Sequence, residues 1–145
     1  MKQRIPFKDQ LQRNAVAIIS LFIAVSGLFY NTWRNELTEA NQNQRTGCFE
    51  VLLKLGELDQ LVNHLHFDMD DRLSGNQRTG WALVQTINDI STIIDDPVGD
   101  AAAELKQVWS QHEKGLGESD ASVEAIRGAI DNLRSATQEV LKGLT

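Results

Sequence analysis

Residues 15–30 read AVAIISLFIAVSGLFY, sixteen positions with no charge and only Ser20 and Ser26 polar. Extended to Asn14 on one side and Trp33 on the other, the stretch covers twenty residues. A helix rises about 1.5 Å per residue, so twenty residues span about 30 Å, the thickness of a bilayer's hydrocarbon core. A backbone in lipid must satisfy its own hydrogen bonds, so the segment is expected to be a transmembrane helix. Ala15, Ile18, Ile19, Leu21, Phe22 and Ile23 supply the lipid-facing surface of its first half. Leu28, Phe29 and Tyr30 supply the second, and Trp33 stands where an indole anchors at the headgroup boundary.

Two other readings compete. Ala24-Val25-Ser26 before Gly27 has the small residues of a signal-peptide cleavage site, but the apolar run continues beyond it through Tyr30. A core helix apolar on every face would need a larger protein to surround it. An uncleaved membrane anchor is the preferred reading.

Residues 1–13 carry Lys2, Arg4, Lys8 and Arg13 against Asp9, a net of +3 within a whole-chain charge of −6. The rest of the chain therefore carries −9, which repels phosphate backbones and argues against nucleic acid as a partner. Only Arg34 and Arg45 are basic in residues 31–50. That asymmetry places the tail in the cytoplasm and the remainder outside it. In a bacterium the expected site is the inner membrane, with a periplasmic domain. Within the span Ala17, Ser20, Ala24 and Gly27 recur at three, four and three, a seam along which helices can associate. Chance spacing among the small residues common in membrane helices is the plainer account of it.

Outward from the span, residues 34–47 are almost wholly polar, with Leu37 and Ala40 apolar, and contain no proline, as in a solvated helical stalk. From Cys48 the pattern changes. Val51, Leu55, Leu58, Val62, Leu65 and Met69 alternate at four and three, the spacing of a bundle or coiled-coil stripe, and Phe49, Leu52 and Leu61 widen it. Ser74-Gly75-Asn76 reads as the break after this helix.

A second helix is expected over residues 77–95, with Leu83, Ile87, Ile90 and Ile94 as its stripe and Trp81 and Val84 alongside. Asp96 is the expected cap of a third helix over 97–114, with Pro97 in its first turn. That helix turns Val98, Ala102, Leu105, Val108 or Trp109, and His112 inward, and Gly115 and Gly117 stop it. Ser119 or Asp120 caps a fourth helix, whose stripe runs Val123, Ile126, Ile130, Leu133, Thr137, Val140 and Leu144. Four amphipathic helices with short joints predict an all-α antiparallel bundle over residues 48–145.

Chemistry is sparse. His64 and Asp68, and His66 and Asp70, stand four apart, a spacing that lets His and carboxylate share a divalent metal. The two histidines are two residues apart and point in different directions, so a solvated helix end is the simpler reading. An EF-hand fails because Leu73 stands where glycine is required. Cys48 is the only cysteine, which excludes an intramolecular disulfide, and at the edge of an apolar stripe it reads as a small buried hydrophobe. There is no Gly-x-Ser-x-Gly elbow or phosphate-cradling glycine loop. Gly56, Gly80 and Gly128 read as close-packing positions, and Trp81 and Trp109 as core aromatics.

No catalysis and no cofactor are expected. The expected role is an interaction or accessory module on the bilayer, with a protein partner or a second copy of itself. A helical domain behind an N-terminal span also resembles the outer domains of bacterial chemoreceptors and sensor kinases. That resemblance implies a small-ligand sensor working through a partner. A metal-dependent enzyme on His64, His66, Asp68 and Asp70 is the remotest alternative. Phage spanins share the single N-terminal span but rely on longer uninterrupted coiled coil, whereas Asp96-Pro97 and the glycine breaks favour a compact bundle.

Overall fold

The computed structural model describes residues 14–67 and 73–144. Over these it is all-α, with helices α1 (Ala15–Phe67), α2 (Leu73–Ser91), α3 (Val98–His112) and α4 (Asp120–Gly143), a 3-10 turn at Glu113–Gly115, and no strand. The chain divides into two compact units, Met1–Ala40 and Asn41–Thr145.

In the first unit α1 contributes the apolar stretch. An eighteen-residue window there has a mean hydropathy of 1.8 and none of it is buried, so by length and composition this helix is long and apolar enough to cross a membrane. A core helix of this chain would be covered by its neighbours, so the core-helix reading fails.

The second unit is a four-helix antiparallel bundle, and its cross-helix contacts give the topology. Along α1 and α4, Arg45 donates to the Leu144 carbonyl, Arg127 donates to Asn63 Oδ1, and His66 meets Asp120. One number rises as the other falls, so the two helices run antiparallel. The Asp95 N–H donates to Gln44 Oε1 at 3.1 Å just beyond α2, while Gly80 of α2 lies against Trp109 of α3. Asn132 Nδ2 of α4 donates to Glu104 Oε2 of α3 at 2.7 Å. Each helix thus packs on its sequence neighbours, and α4 closes the ring on α1.

Inside the ring the stripes read from sequence meet. Val51, Leu55, Leu58 and Val62 of α1 are fully buried with Ile87, Leu105, Trp109, Ile126 and Leu133. Thr137, the one hydroxyl in the α4 stripe, is buried and donates to the Leu133 carbonyl at 2.8 Å, so its polarity costs the core little. Trp81 is only partly buried against this core.

Several local expectations are corrected. Ser74-Gly75-Asn76 does not break a helix but lies in the first turn of α2. The first four N–H groups of a helix have no intrahelical partner, so small polar residues are tolerated there. Helix α2 stops at Ser91 rather than Asp95. Beyond it the chain winds through four-residue turns, with the Ile93 and Ile94 N–H groups donating to the Ile90 and Ser91 carbonyls, and the Thr92 hydroxyl donating to the Asp89 carbonyl at 2.7 Å. Asp96 does not cap α3. Pro97 occupies that position after a cis peptide, with no side-chain cap bond. Ser119 does cap α4, its hydroxyl accepting from the Ser122 N–H at 3.3 Å. Gly117, at φ +96°, makes the turn before it, in the left-handed region where a Cβ is strained.

Phe49 does not widen the α1 stripe as expected: it is 58% exposed on the opposite side of the helix, where a position two residues from Val51 falls. Nor do Gly56 and Gly128 serve close packing within the chain, since a Cβ on either would meet nothing within 4 Å. Met69 lies outside the described residues.

Candidate functional site

The most conspicuous surface of the first unit is the apolar one. Phe22 and Phe29 are each 73% exposed, and Ile18, Ile19, Leu21, Ile23, Leu28, Tyr30 and Trp33 are exposed with them. Ala15 is partly covered. Burying one such large side chain is worth about 1.5–3 kcal/mol, so a helix carrying this many uncovered favours a non-aqueous surrounding. The seam residues Ala17, Ser20, Ala24 and Gly27 are exposed as well, and a Cβ on Gly27 would meet nothing within 4 Å.

At the far end of α1 the two histidines separate as their spacing requires. His64 is exposed, while His66 is turned partly inward and its ring meets Phe67 edge-on at 4.7 Å between centroids. His66 Nε2 stands 3.2 Å from Asp120 Oδ1 at the start of α4, and its Nδ1 is buried without a hydrogen-bond partner among the described residues. Asp68 and Asp70, the other proposed metal ligands, lie outside the described residues. Among those that are described, no group of three or more His, Cys, Asp or Glu side chains could hold a metal. Sequence reading misses Asp120 as the neighbour of His66, because the two stand 54 positions apart and meet only when α4 closes on α1. His112 lies 3.4 Å from the Ser122 hydroxyl and braces the turn between α3 and α4.

Cys48 is completely buried. Loss of water, with the Asp95 carboxylate adding to it, pushes its thiol above the ordinary range. A thiol held protonated and covered is not a nucleophile. Shallow grooves mark the bundle surface, among them two between helices. One, of about 310 Å³, runs between α3 and α4 and carries Asp100, Glu104 and Glu139, with the Glu104 carboxylate already accepting from Asn132. The other, of about 500 Å³, lies between α1 and the end of α2 and is floored by Ile90 and Ile93. Neither brings a nucleophile beside a base.

Comparison with family models, with curated proteins and with solved structures finds no match to this chain.

Proposed function

We propose that this chain is a single-pass protein of the bacterial inner membrane, with its N-terminus in the cytoplasm and its helical bundle in the periplasm. It acts there as an interaction or accessory module and not as a catalyst. The observation that carries this reading is the helix α1 itself. Its first part presents an uncharged surface with mean hydropathy 1.8 and no cover, while Val51, Leu55, Leu58 and Val62 further along build a water-excluding core. One helix made for two surroundings suits a tether that holds a folded domain at a membrane surface. Lys2, Arg4, Lys8 and Arg13 before the span support the orientation.

The test is membrane fractionation and topology of the full chain. With Cys48 replaced by Ala, the substitution Ala103→Cys at an exposed site reports the bundle's compartment, and Gln3→Cys reports the tail's. Expected are retention in alkaline-washed membranes and labelling of the Ala103→Cys variant in intact spheroplasts by an impermeant maleimide. The Gln3→Cys variant should be labelled only after lysis. The reverse labelling would overturn the orientation. A mature chain beginning at Gly27, seen by intact mass, would make the stretch a signal peptide. Stabilisation of the bundle by one of a panel of small molecules would favour the sensor reading instead.

A further inference from the structure

We propose that the outward face of α1 in the bundle unit pairs in parallel with the same face of a second copy of this chain. This names the partner of the interaction module proposed above and rests on that reading.

The face is legible once burial is on the page. Gln42, Thr46, Phe49, Leu53, Gly56 and Gln60 recur at four, three, four, three and four, and all are exposed and uncharged. Phe49 is 58% and Leu53 62% exposed, although both are large and apolar. In heptad terms these six alternate between the two seam positions of a coiled coil. The residues that build the bundle core, Val51, Leu55, Leu58 and Val62, fall on the other side. Helix α1 therefore carries two large exposed apolar side chains, Phe49 and Leu53, in an uncharged stripe on the side that the bundle leaves uncovered.

Gly56 points the same way. A glycine within a helix costs about 0.5–1 kcal/mol against alanine, and no neighbour in the chain makes use of its missing Cβ. At a seam position it allows a second helix to approach closely.

Charge selects the partner and its direction. Arg45 and Glu50 flank the seam on opposite sides, five residues apart. In a parallel, in-register pair that spacing sets Arg45 of each copy, which donates to its own Leu144 carbonyl and keeps further N–H donors, against Glu50 of the other, two opposite-charge contacts. A reversed copy would set the side bearing Glu50 and Glu57 against itself. Its one attractive pairing, Arg45 with Asp59, competes with Arg127, whose Nε already lies 3.9 Å from Asp59.

The experiment uses the full chain in detergent micelles. In a Cys48→Ala background, Thr46→Cys and Gln60→Cys are each oxidised under mild conditions, with Ala103→Cys on α3 as control. The expected result is a disulfide-linked dimer from each seam variant and none from the control. Leu53→Asp, at an exposed site where helix content is expected to be kept, weakens the dimer by about tenfold or more in light scattering. If the Thr46→Cys chain cross-linked only to the Gln60→Cys chain in a mixed sample, the copies would be reversed and the proposal overturned. So would a monomer that engages a different protein through Leu53, or a dimer that survives Leu53→Asp but is lost on Gly27→Leu. Membrane retention is read separately: a dimer broken by Leu53→Asp in a chain that washes off membranes would retain this interface and remove the anchor.

Discussion

A Cβ built on Gly80 of α2 would lie 2.2 Å from Cζ2 of Trp109 on α3. Trp109 is the largest fully buried side chain in the bundle, and it fits because α2 has no side chain where the six-membered ring passes. Gly80→Ala is expected to cost about 1–3 kcal/mol through overpacking. Trp109→Phe in the same chain should recover part of that loss, since the pair is coupled. Gly128, with open space around it on α4, gives the opposite result: Gly128→Ala is expected to gain about 0.5–1 kcal/mol. Urea unfolding followed by helical circular dichroism checks all three.

Cys48 carries a pH prediction. Its folded thiol is pushed up by burial and by Asp95, so the native state holds the proton longer than the unfolded chain does. The stability this confers is whole below the unfolded thiol's value, about 8.5, and is lost as pH rises from there through the higher folded value. From about pH 8 to about pH 10, the urea midpoint of the natural chain should fall more than that of Cys48→Ala. A thiol reagent should find Cys48 only in denaturant, and rapid labelling of the native chain would contradict the burial.

Arg127 and Ile126 are adjacent in sequence and belong to different parts of the energetics. Arg127 reaches Asn63 and Asp59 across the α1–α4 seam, with its side chain 41% exposed, whereas Ile126 is fully buried. Exposed ion pairs contribute about 0–1 kcal/mol, and truncating a buried isoleucine costs about 2–5 kcal/mol. Arg127→Ala should therefore shift the thermal midpoint by a few degrees at most, and Ile126→Ala by considerably more. Equal effects would mean that the polar seam holds α4 in place as firmly as the apolar core does.

The helical stripes are legible because burial in a bundle follows the helical period, and Val51, Leu55, Leu58 and Ile130 obey it. Phe49 is legible too: two residues before Val51 it lies about 200° round the helix, so the helical period alone sets it opposite the core stripe. What sequence leaves hidden depends on neighbours brought from afar. Ser74-Gly75-Asn76 misleads because the same residues end one helix or begin another, according to which N–H groups are already unpaired. Asp96 fails as a cap although its residue type suits the role, because Pro97 takes the position. The His66–Asp120 and Gly80–Trp109 contacts are tertiary and leave no periodic trace. For the His cluster, sequence spacing places His64 and His66 on different faces, and the structure leaves His64 exposed and sets His66 beside Asp120 of α4.

The closure of α4 on α1 also has a consequence in time. Arg45 and Leu144 meet across 99 positions, and Asn63 and Arg127 across 64. During synthesis the inward face of α1 leaves the ribosome before the helix that completes its cover. At about 5–20 residues per second, Val51, Leu55, Leu58 and Val62 stay incompletely sheltered for several seconds while the chain lengthens. The protection of α1's inward face is completed only when the fourth helix arrives.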